Sequence, residues 1–486
     1  MNNINLEVYK DKVAGCWAGK NIGGTLGAPF EGQTEMHDID FYTQDLSGKS
    51  EPNDDLDLQL VWLEAIKSHG ISNITPQLLG EYWLGIINGP WNEYGIAKMN
   101  MRAGLMPPMS GSCNNEKWRY SNGAWIRSEI WACCFPGAPD EAIKYAYMDA
   151  CVDHCGEGIY AEMFTAALEA AAFIVDDYFE LIEIALKKIP AKSRIAQSVN
   201  IARAAYKDGK SWQTAREELV KASEDIGWFQ APANIGFVII GLLYGEGDFG
   251  KSICLAVNCG DDTDCTAATL GSILGIINGY SNLPEKWLKP IGKSIINICI
   301  NPFFAVPRTI DDLTEEVVDE TLSHNKKLSP VSIDSGLSKI EDEYFKSLKS
   351  SDQAEKIWNK SAFELCTDLP HIQIITDYID DPCIKSSESK KVRLKIKPKF
   401  KVYETIVSVK WILPEDWEIS PAPQNRIFIS ALRMLAEQEF VITPGKLNGG
   451  FVYIQLEIKD NERMAPYVIT LPFQVQDTVK TSYSQI

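Results

Sequence analysis

Two short acidic stretches contain the residues of this sequence that could do chemistry together. The stretch "NCGDDTDCTAATL" at 258–270 brings Asp261, Asp262 and Asp264 into one turn, directly before an apolar segment. The stretch "EPNDDLDLQL" at 51–60 has the same character at the start of another periodic segment. Its polar residues include Asn53, Asp54, Asp55 and Asp57. Clustered carboxylates of this kind are typical of sites that bind a divalent cation.

A purely structural role explains part of this pattern. Asn53 is a good N-cap residue, and an acid in the first turn of a helix gains a few tenths to about 1 kcal/mol from the helix dipole. Neighbouring carboxylates about 4 Å apart repel by several kcal/mol, which exceeds that gain. The acids therefore either spread into water or share a cation. The helix after Asp264 is apolar on nearly all sides, which favours the cation.

Oxygen ligands select a hard ion, Mg²⁺ or Mn²⁺, over zinc. If the two stretches meet, they could hold a pair of ions about 3.5–4 Å apart, a spacing suited to activating water and orienting substrate oxygens.

Helical periodicity dominates the first 300 residues and predicts the elements that position these acids. Residues 56–70 repeat apolar side chains at helical spacing, and 265–279 predict a buried central helix. Residues 161–190 read as one long helix that ends at Pro190. Between 88 and 125, Gly, Pro, Asn, Trp and Met predict an irregular stretch, which in compact domains is often functional.

The composition predicts three parts: an all-α domain at 1–325, a linker with a helix at 326–370 and a β-sandwich at 371–486. In "KVRLKIKPKF" at 391–400, apolar and basic residues alternate, which favours an Ig-like antiparallel sandwich. The lysine row is either a binding stripe or, as we expect, the solvated face of an edge strand, a position that Pro398 also favours.

The net charge and the composition of the chain argue against several classes of function. A net charge of −19 over 486 residues argues against binding to nucleic acid or to anionic membranes. We find no signal peptide and no apolar run long enough to span a membrane. Twelve scattered cysteines predict reduced thiols in a cytoplasmic protein. The spacing of Cys151, His154 and Cys155 could suit a metal, but no second Cys pair completes a zinc set.

Four stretches, in this order, resemble the ADP-ribosylglycohydrolase family, which includes the dinitrogenase-reductase-activating glycohydrolases. They are "GKNIGGTLGAPFEG" (19–32), "NDDLDLQL" (53–60), "YSNGAWIRSEIW" (120–131) and "GDDTDCTAATLGSILG" (260–275). The resemblance implies an all-α domain with a binuclear Mg²⁺ or Mn²⁺ centre. It implies hydrolysis of the glycosidic bond at the ribose anomeric carbon of ADP-ribose, carried on a protein or a small molecule. The predicted β-sandwich lies outside the resemblance.

The resemblance also implies roles for individual positions. The implied metal ligands are Asn53, Asp54, Asp55, Asp262, Asp264 and Cys265, with Asp261 as a further candidate. The implied catalytic residues are Glu31, Asp55 and Asp262. The implied substrate-binding residues are Tyr120, Ser121, Asn122, Gly123 and His154, of which Ser121, Asn122 and Gly123 match the family's phosphate loop.

Two departures from the family pattern leave alternatives open. Asn53 and Cys265 stand where the family has threonine, and a neutral thiol is a poor ligand for Mg²⁺. The chain could therefore bind one ion or two. It could also hydrolyse another ribosyl, sugar or phosphate conjugate on the same centre, or be a non-catalytic metal-binding member of the family.

Overall fold

The computed structural model describes residues 2–301, 303–400, 404–430, 432–460 and 463–476. The chain divides into two units. The first contains the residues up to Ile96 together with Asn115–Lys360, and the second contains Ala97–Asn114 and the residues from Ser361 onward. The segment Ala97–Asn114 thus belongs to the second unit, which the sequence did not indicate.

Helices form most of the first unit, as predicted. In chain order the helices are α1 (Leu6–Gly27), α2 (Asp54–His69), α3 (Pro76–Gly85), α4 (Asn92–Arg102), α5 (Met109–Ser112), α6 (Glu129–Cys134), α7 (Pro139–Ala150), α8 (Glu157–Ala172), α9 (Tyr178–Leu186), α10 (Arg194–Lys207), α11 (Trp212–Ala222), α12 (Ala231–Tyr244), α13 (Phe249–Asn258), α14 (Thr263–Asn278), α15 (Glu285–Leu288), α16 (Ile310–Leu328), α17 (Asp342–Ser347) and α18 (Asp352–Trp358). The first unit also holds two strands that pair in parallel, β1 (Asn2–Asn5) and β2 (Val331–Asp334).

Helices α1 and α14 pack backbone against backbone in antiparallel directions. Glycines at every fourth position of α1 permit this approach: a Cβ atom on Gly19 would lie 1.9 Å from the Gly271 carbonyl oxygen, and one on Gly23 would lie 2.0 Å from that of Ala267. Thr263 Oγ1 donates to the Gly27 carbonyl oxygen at 2.8 Å. The end of α1 is thereby held beside the start of α14.

The acidic helix starts have the predicted form. Asn53 is the N-cap of α2 and accepts a hydrogen bond from the Asp55 amide, and α2 ends before Gly70, whose φ is 75°. Helix α14 is buried from Thr263 to Ile276, which confirms the prediction of a central buried helix.

The prediction of a single long helix at 161–190 is wrong. The chain forms α8 and α9 instead, because Asp177 caps a new helix by accepting from the Glu180 amide. A local side-chain hydrogen bond of this kind competes with continuation of the helix. The stretch 88–125 is also less irregular than predicted, since it contains α4 and α5. The polar segment 326–370 contains β2, α17, α18 and a first strand of the second unit.

Besides α5 and the end of α4, which lie in Ala97–Asn114, the second unit consists of two five-stranded sheets. Its strands are β3 (Glu364–Asp368), β4 (Ile372–Asp377), β5 (Cys383–Ile384), β6 (Lys390–Pro398), β7 (Thr405–Ile412), β8 (Glu418–Ser420), β9 (Gln424–Ile429), β10 (Ala436–Thr443), β11 (Phe451–Asp460) and β12 (Tyr467–Val475). The strand orders are β3-β4-β6-β10-β8 and β5-β12-β11-β7-β9. The apolar residues of both sheets form one core, as in a sandwich. An all-β region after a helical domain is therefore confirmed.

The lysine-rich strand is not an edge strand, contrary to the prediction. Strand β6 pairs with β4 on one side and β10 on the other, and Pro398 stands at its last position. Its basic side chains make ion pairs across the outer face of the sheet, such as Lys395 to Glu364 at 2.5 Å. The alternation of apolar and basic residues thus reflects one buried and one charged face of a central strand.

All twelve cysteines lie within the described residues, and none of them forms a disulfide. Among the helices that the structure describes, none combines the length and the apolar character needed to cross a membrane.

Candidate active site

The two acidic helix starts meet at the end of α1. Cys265 Sγ lies 3.4 Å from Asp55 Oδ1, and ligand atoms of Asp55, Asp264 and Cys265 all lie within 4.8 Å of one another. A second group with the same spacing contains Glu31, Asp262 and Asp264. Asp264 belongs to both groups, so the two candidate ligand sets overlap.

Burial and mutual repulsion change the proton affinity of these carboxyls. Repulsion from Asp264, together with burial and the charge of Asp54, raises the pKa of Glu31 to about 8. Burial and Asp264 raise the pKa of Asp54 to about 7. Burial is also the main cause that raises the pKa of Asp55 and Asp262 well above the ordinary value. Without a cation, therefore, the group holds protons at neutral pH.

Neighbouring side chains fix the orientation of the acids. The Tyr94 hydroxyl donates to Asp54 Oδ2 at 3.3 Å, and Asn122 Nδ2 donates to Asp262 Oδ2 at 2.6 Å. Asn122 is itself held by Trp125, whose indole N–H donates to its Oδ1 at 3.0 Å. Asp54 and Asp262 thus each have one oxygen fixed by a neighbouring donor, and Asp262 Oδ1 has no hydrogen-bond partner among the described residues.

The donor set fits a hard divalent cation. Within the two ligand groups, three buried carboxylate oxygens accept no hydrogen bond from any described residue: Asp55 Oδ2, Asp262 Oδ1 and Asp264 Oδ1. A buried anionic oxygen without a donor is costly unless it is protonated or binds a cation. Oxygen ligands of this type suit Mg²⁺ or Mn²⁺.

Lys20 is a component that the sequence reasoning missed. Its ammonium donates to Glu129 Oε1 at 2.7 Å and to the Ile126 carbonyl oxygen at 2.6 Å, and lies 3.9 Å from Asp55 Oδ2. It therefore neutralises part of the charge around Asp55. The available signal was the position of Lys20 among the mostly small and apolar residues at 13–27, the part of α1 that is buried from Gly15 onward.

A cavity of about 390 Å³ opens onto these acids, a volume that suits a sugar conjugate. It is lined by Glu31, Asp54, Trp91, Asn92, Glu93, Tyr94, Asn122, Gly123, Ile126, Phe229, Asp262, Asp264, Cys265 and Ile298. Six of these residues, at 91–94 and 122–123, come from the stretch 88–125 that the sequence predicted to be irregular. Glu93 was not predicted as a site residue, and its sequence neighbours carry no motif that could have identified it.

Three polar residues near the acids have structural partners. Asn53 Oδ1 accepts from the Asp55 amide at 2.7 Å, which is a capping contact. Asp57 accepts hydrogen bonds from Asn297 Nδ2 and from the amides of Ile298 and Cys299. It therefore fixes the position of the segment 297–299. Asp261 lies in neither ligand group of the described residues, and its Oδ1 accepts from the Phe229 amide at 2.8 Å. A ligand role for Asn53 or Asp261 stays a prediction.

The predicted substrate-binding residues divide between the cavity and the layer behind it. Asn122 and Gly123 line the cavity. Ser121 is buried, with its hydroxyl 3.2 Å from His154 Nε2, and His154 Nδ1 lies 2.9 Å from Asp153 Oδ1. The Arg119 guanidinium lies over the Tyr120 ring, 4.9 Å from the centroid of that ring. Tyr120 is not among the described residues that line the cavity.

Three comparisons with known proteins all point to proteins named for the hydrolysis of ADP-ribosyl groups. The model of the ADP-ribosylglycohydrolase family matches residues 5–326. A stretch of 62 residues is 42% identical to ADP-ribosylarginine hydrolase Tri1 of Serratia proteamaculans (strain 568), and covers 12% of this chain and 17% of that protein. The chain thus matches less than two thirds of the length of that relative.

A solved structure, an ADP-ribosylglycohydrolase-related protein complex, has a TM-score of 0.45 and 18% sequence identity, over 66% of this chain and 99% of the other. The family match spans more than half of the 486 residues and includes both acidic helix starts. On that match, the chain belongs to the ADP-ribosylglycohydrolase family.

Proposed function

We propose that this chain is a metal-dependent hydrolase that cleaves the glycosidic bond at the ribose anomeric carbon of ADP-ribosylated substrates. The observation that carries the proposal is the convergence on one cavity of two acidic helix starts, three of whose buried carboxylate oxygens accept no hydrogen bond from the described residues. Family membership supports the reaction class. The name of the partly matching relative suggests ADP-ribosylarginine as the first substrate to test.

The residues that would hold the cations are those of the two overlapping groups. Asp55, Asp264 and Cys265 form one, and Glu31, Asp262 and Asp264 form the other. A bound Mg²⁺ or Mn²⁺ lowers the pKa of water and orients substrate oxygens. Asp54, which lines the same cavity, and Asn53 at the helix N-cap remain candidates to complete the coordination.

The remaining chemistry belongs to side chains of the chain itself. Cleavage at the anomeric carbon passes through an oxocarbenium-like state, whose positive charge is stabilised by the surrounding carboxylates. Glu31 is the exposed member of the acidic group, so its carboxyl can exchange a proton with water or with the leaving group. Tyr94 and Asn122 keep Asp54 and Asp262 oriented toward the cavity. Phe229, whose backbone amide donates to Asp261 Oδ1, forms part of the wall.

A second candidate is hydrolysis of a ribosyl or other sugar conjugate that carries no diphosphate. The observation in its favour is the charge of the cavity wall, to which five carboxyl groups contribute but, among the described lining residues, no lysine or arginine. A diphosphate entering this cavity would rely on bound cations and backbone amides alone for neutralisation.

The test is turnover of two substrates under three metal conditions. The full chain is incubated with ADP-ribosylarginine or p-nitrophenyl β-D-ribofuranoside, in Mg²⁺, in Mn²⁺ or in EDTA, and release of ADP-ribose or nitrophenol is measured. We expect metal-dependent release that Glu31→Gln slows by about 10²-fold. Glu81→Gln removes an exposed carboxylate outside the cavity and serves as the matched control. Release that is equal in EDTA, or the absence of release from both substrates, would contradict the proposal.

A further inference from the structure

Two residues beside the cavity, Asp261 and Phe229, adopt a backbone conformation that residues other than glycine rarely take. Their φ angles are 72° and 65°, in the left-handed region, where the Cβ atom and the backbone crowd each other. For a bulky aromatic residue such as Phe229 this conformation is strained. Strain of this kind persists only where the surrounding structure fixes it, and it is concentrated at ligand-binding sites.

A hydrogen bond joins the two strained residues. The Phe229 amide donates to Asp261 Oδ1 at 2.8 Å, and the Asn234 side chain lies within hydrogen-bonding reach of the same carboxyl. Asp261 is only 7% exposed, so water competes little for these contacts. A glycine at position 261 would take the same φ without strain, but it would offer no acceptor to the Phe229 amide. The side chain of Asp261 therefore fixes the backbone of Phe229.

The backbone of Asp261 is held by separate contacts. Its carbonyl oxygen accepts from the Gly32 amide at 2.9 Å, and its amide donates to the Gln33 carbonyl oxygen at 2.7 Å. These two hydrogen bonds do not depend on the type of side chain at position 261. A substitution there can therefore remove the contact with Phe229 and leave the segment after Glu31 in place.

The Phe229 ring lies in the cavity wall that also contains Asp262 and Asp264. Trp118 and Trp228 contact this ring edge-on, with centroids 6.4 Å and 5.4 Å from its own. These contacts require the direction that the strained backbone gives to the ring. Aromatic side chains in a pocket wall supply apolar contact area to a ligand, whose orientation the polar groups determine.

We propose that Asp261 is a positioning residue: its carboxylate holds Phe229 in the left-handed conformation, and the ring placed in this way packs against the apolar face of the bound ribosyl conjugate. The inference rests on the proposed function, because that function places such a conjugate in this cavity. It assigns Asp261 to the affinity for the ligand, through Phe229, and not to coordination of a cation.

Hydrogen exchange tests the contact itself on the full chain without metal or ligand. The Phe229 amide should exchange slowly in the wild type and in Asp261→Asn, whose side-chain oxygen can accept the same hydrogen bond. In Asp261→Gly we expect exchange to be at least about tenfold faster. Glu246→Gly is the matched control, since Glu246 is an exposed acid with a φ of 52°, and it leaves this exchange unchanged. Equal exchange in the wild type and Asp261→Gly would overturn the inference.

Calorimetric titration of ADP-ribose in saturating Mg²⁺ tests the consequence for binding. We expect Asp261→Gly to bind ADP-ribose about tenfold more weakly, and Asp261→Asn to bind it like the wild type. The melting temperature of Asp261→Gly should stay within a few degrees of the wild type, because glycine takes the left-handed conformation freely. In a Phe229→Ala background, Asp261→Gly should weaken binding no further, since its effect is transmitted by the ring.

The outcomes separate this inference from the proposed function. If the wild type binds ADP-ribose and Asp261→Gly binds it equally well, the inference alone is overturned. A fall in Mg²⁺ affinity in Asp261→Gly would also overturn it, because Asp261 would then be a metal ligand. Failure of the wild type to bind ADP-ribose in Mg²⁺ would overturn the proposed function and this inference together.

Discussion

Cys265 Sγ lies 3.4 Å from Asp55 Oδ1, although the two residues are 210 positions apart in the sequence. Burial and the charges of Asp262 and Asp264 raise the pKa of this thiol well above its ordinary value, so it stays protonated. The cysteine is therefore a soft, neutral donor in a group whose other members are carboxylates. One of the two candidate cation positions is weakened by this residue.

Replacing that thiol by a hydroxyl should strengthen cation binding. In Cys265→Thr the side chain offers a hard oxygen, and we expect Mg²⁺ affinity to rise by about tenfold in a calorimetric titration. Cys366→Thr, in strand β3 of the second unit, is the matched control and leaves Mg²⁺ affinity unchanged. Unaltered Mg²⁺ affinity in Cys265→Thr would show that this position does not contribute a ligand, and weaker binding would contradict the expectation that a hydroxyl is the better donor here.

Asp262→Asn should separate cation binding from the stability of the metal-free protein. Burial and repulsion from Asp264 raise the pKa of Asp262, so its charge is unfavourable in the fold without a cation. We expect the melting temperature in EDTA to rise by a few degrees and Mg²⁺ affinity to fall at least about tenfold. Asp208→Asn, at an exposed position, changes neither quantity. Unaltered Mg²⁺ affinity in Asp262→Asn would reject the ligand role of this residue.

The metal-free protein should lose stability as the pH rises. In the folded chain the pKa of Asp54 is raised to about 7 and that of Glu31 to about 8, whereas unfolded carboxyls titrate near pH ~4. Between these limits the folded state binds more protons than the unfolded state, so the free energy of unfolding falls with increasing pH. Melting temperatures in EDTA should therefore decrease from pH 5 to pH 8 in a buffer series.

Divalent cations should oppose the loss of stability at higher pH, because carboxyl ligands must lose their protons before they bind a metal. The stabilisation by saturating Mg²⁺ is expected to increase over the same pH range, with protons released on binding. Calorimetric titration in two buffers of different ionisation enthalpy measures that release. A melting temperature in EDTA that does not change with pH would contradict the assigned burial and repulsion of these carboxyls.

The sequence was sufficient to predict elements whose signal is local. The N-cap role of Asn53 and the apolar course of α14 follow from short-range rules, and both are seen in the structure. Repulsion within each acidic stretch allowed a shared cation as one of two explanations, and the family resemblance implied that Asp55 and Cys265 belong to one site; the structure places them 3.4 Å apart. Where a second local signal intervened, as at the capping residue Asp177, the prediction of one continuous helix was wrong.

The parts that were missed depend on partners distant in the chain. Lys20 becomes part of the acidic site only because α1 is held against neighbours that bring Glu129 to its ammonium. Glu93 becomes part of the cavity only because Gly123, thirty positions later, leaves space for its carboxyl. The pairing of β6 on both sides likewise depends on β4 and β10, whereas the lysine pattern alone suited an edge strand equally well.

The close approach of α1 and α14 should be essential to both stability and cation binding. A Cβ atom on Gly19 would lie 1.9 Å from the Gly271 carbonyl oxygen, and neither backbone can yield without separating the helices. Alanine has a higher helix propensity than glycine by about 1 kcal/mol, yet we expect Gly19→Ala to destabilise the protein by about 2–4 kcal/mol through this overlap. Thermal melts followed by far-ultraviolet circular dichroism measure the change. Because the separation would also move Glu31 away from Asp264, Mg²⁺ affinity should fall with it.

Gly85 provides the matched control for that substitution. It is the last residue of α3, and a Cβ atom added there would meet no atom within 4 Å. Gly85→Ala should therefore leave the melting temperature unchanged or raise it slightly, since only the helix propensity and the entropy of the unfolded chain change. If Gly19→Ala behaved like Gly85→Ala, the two helices would not be in backbone contact. The convergence of the acidic residues at their ends would then need another cause.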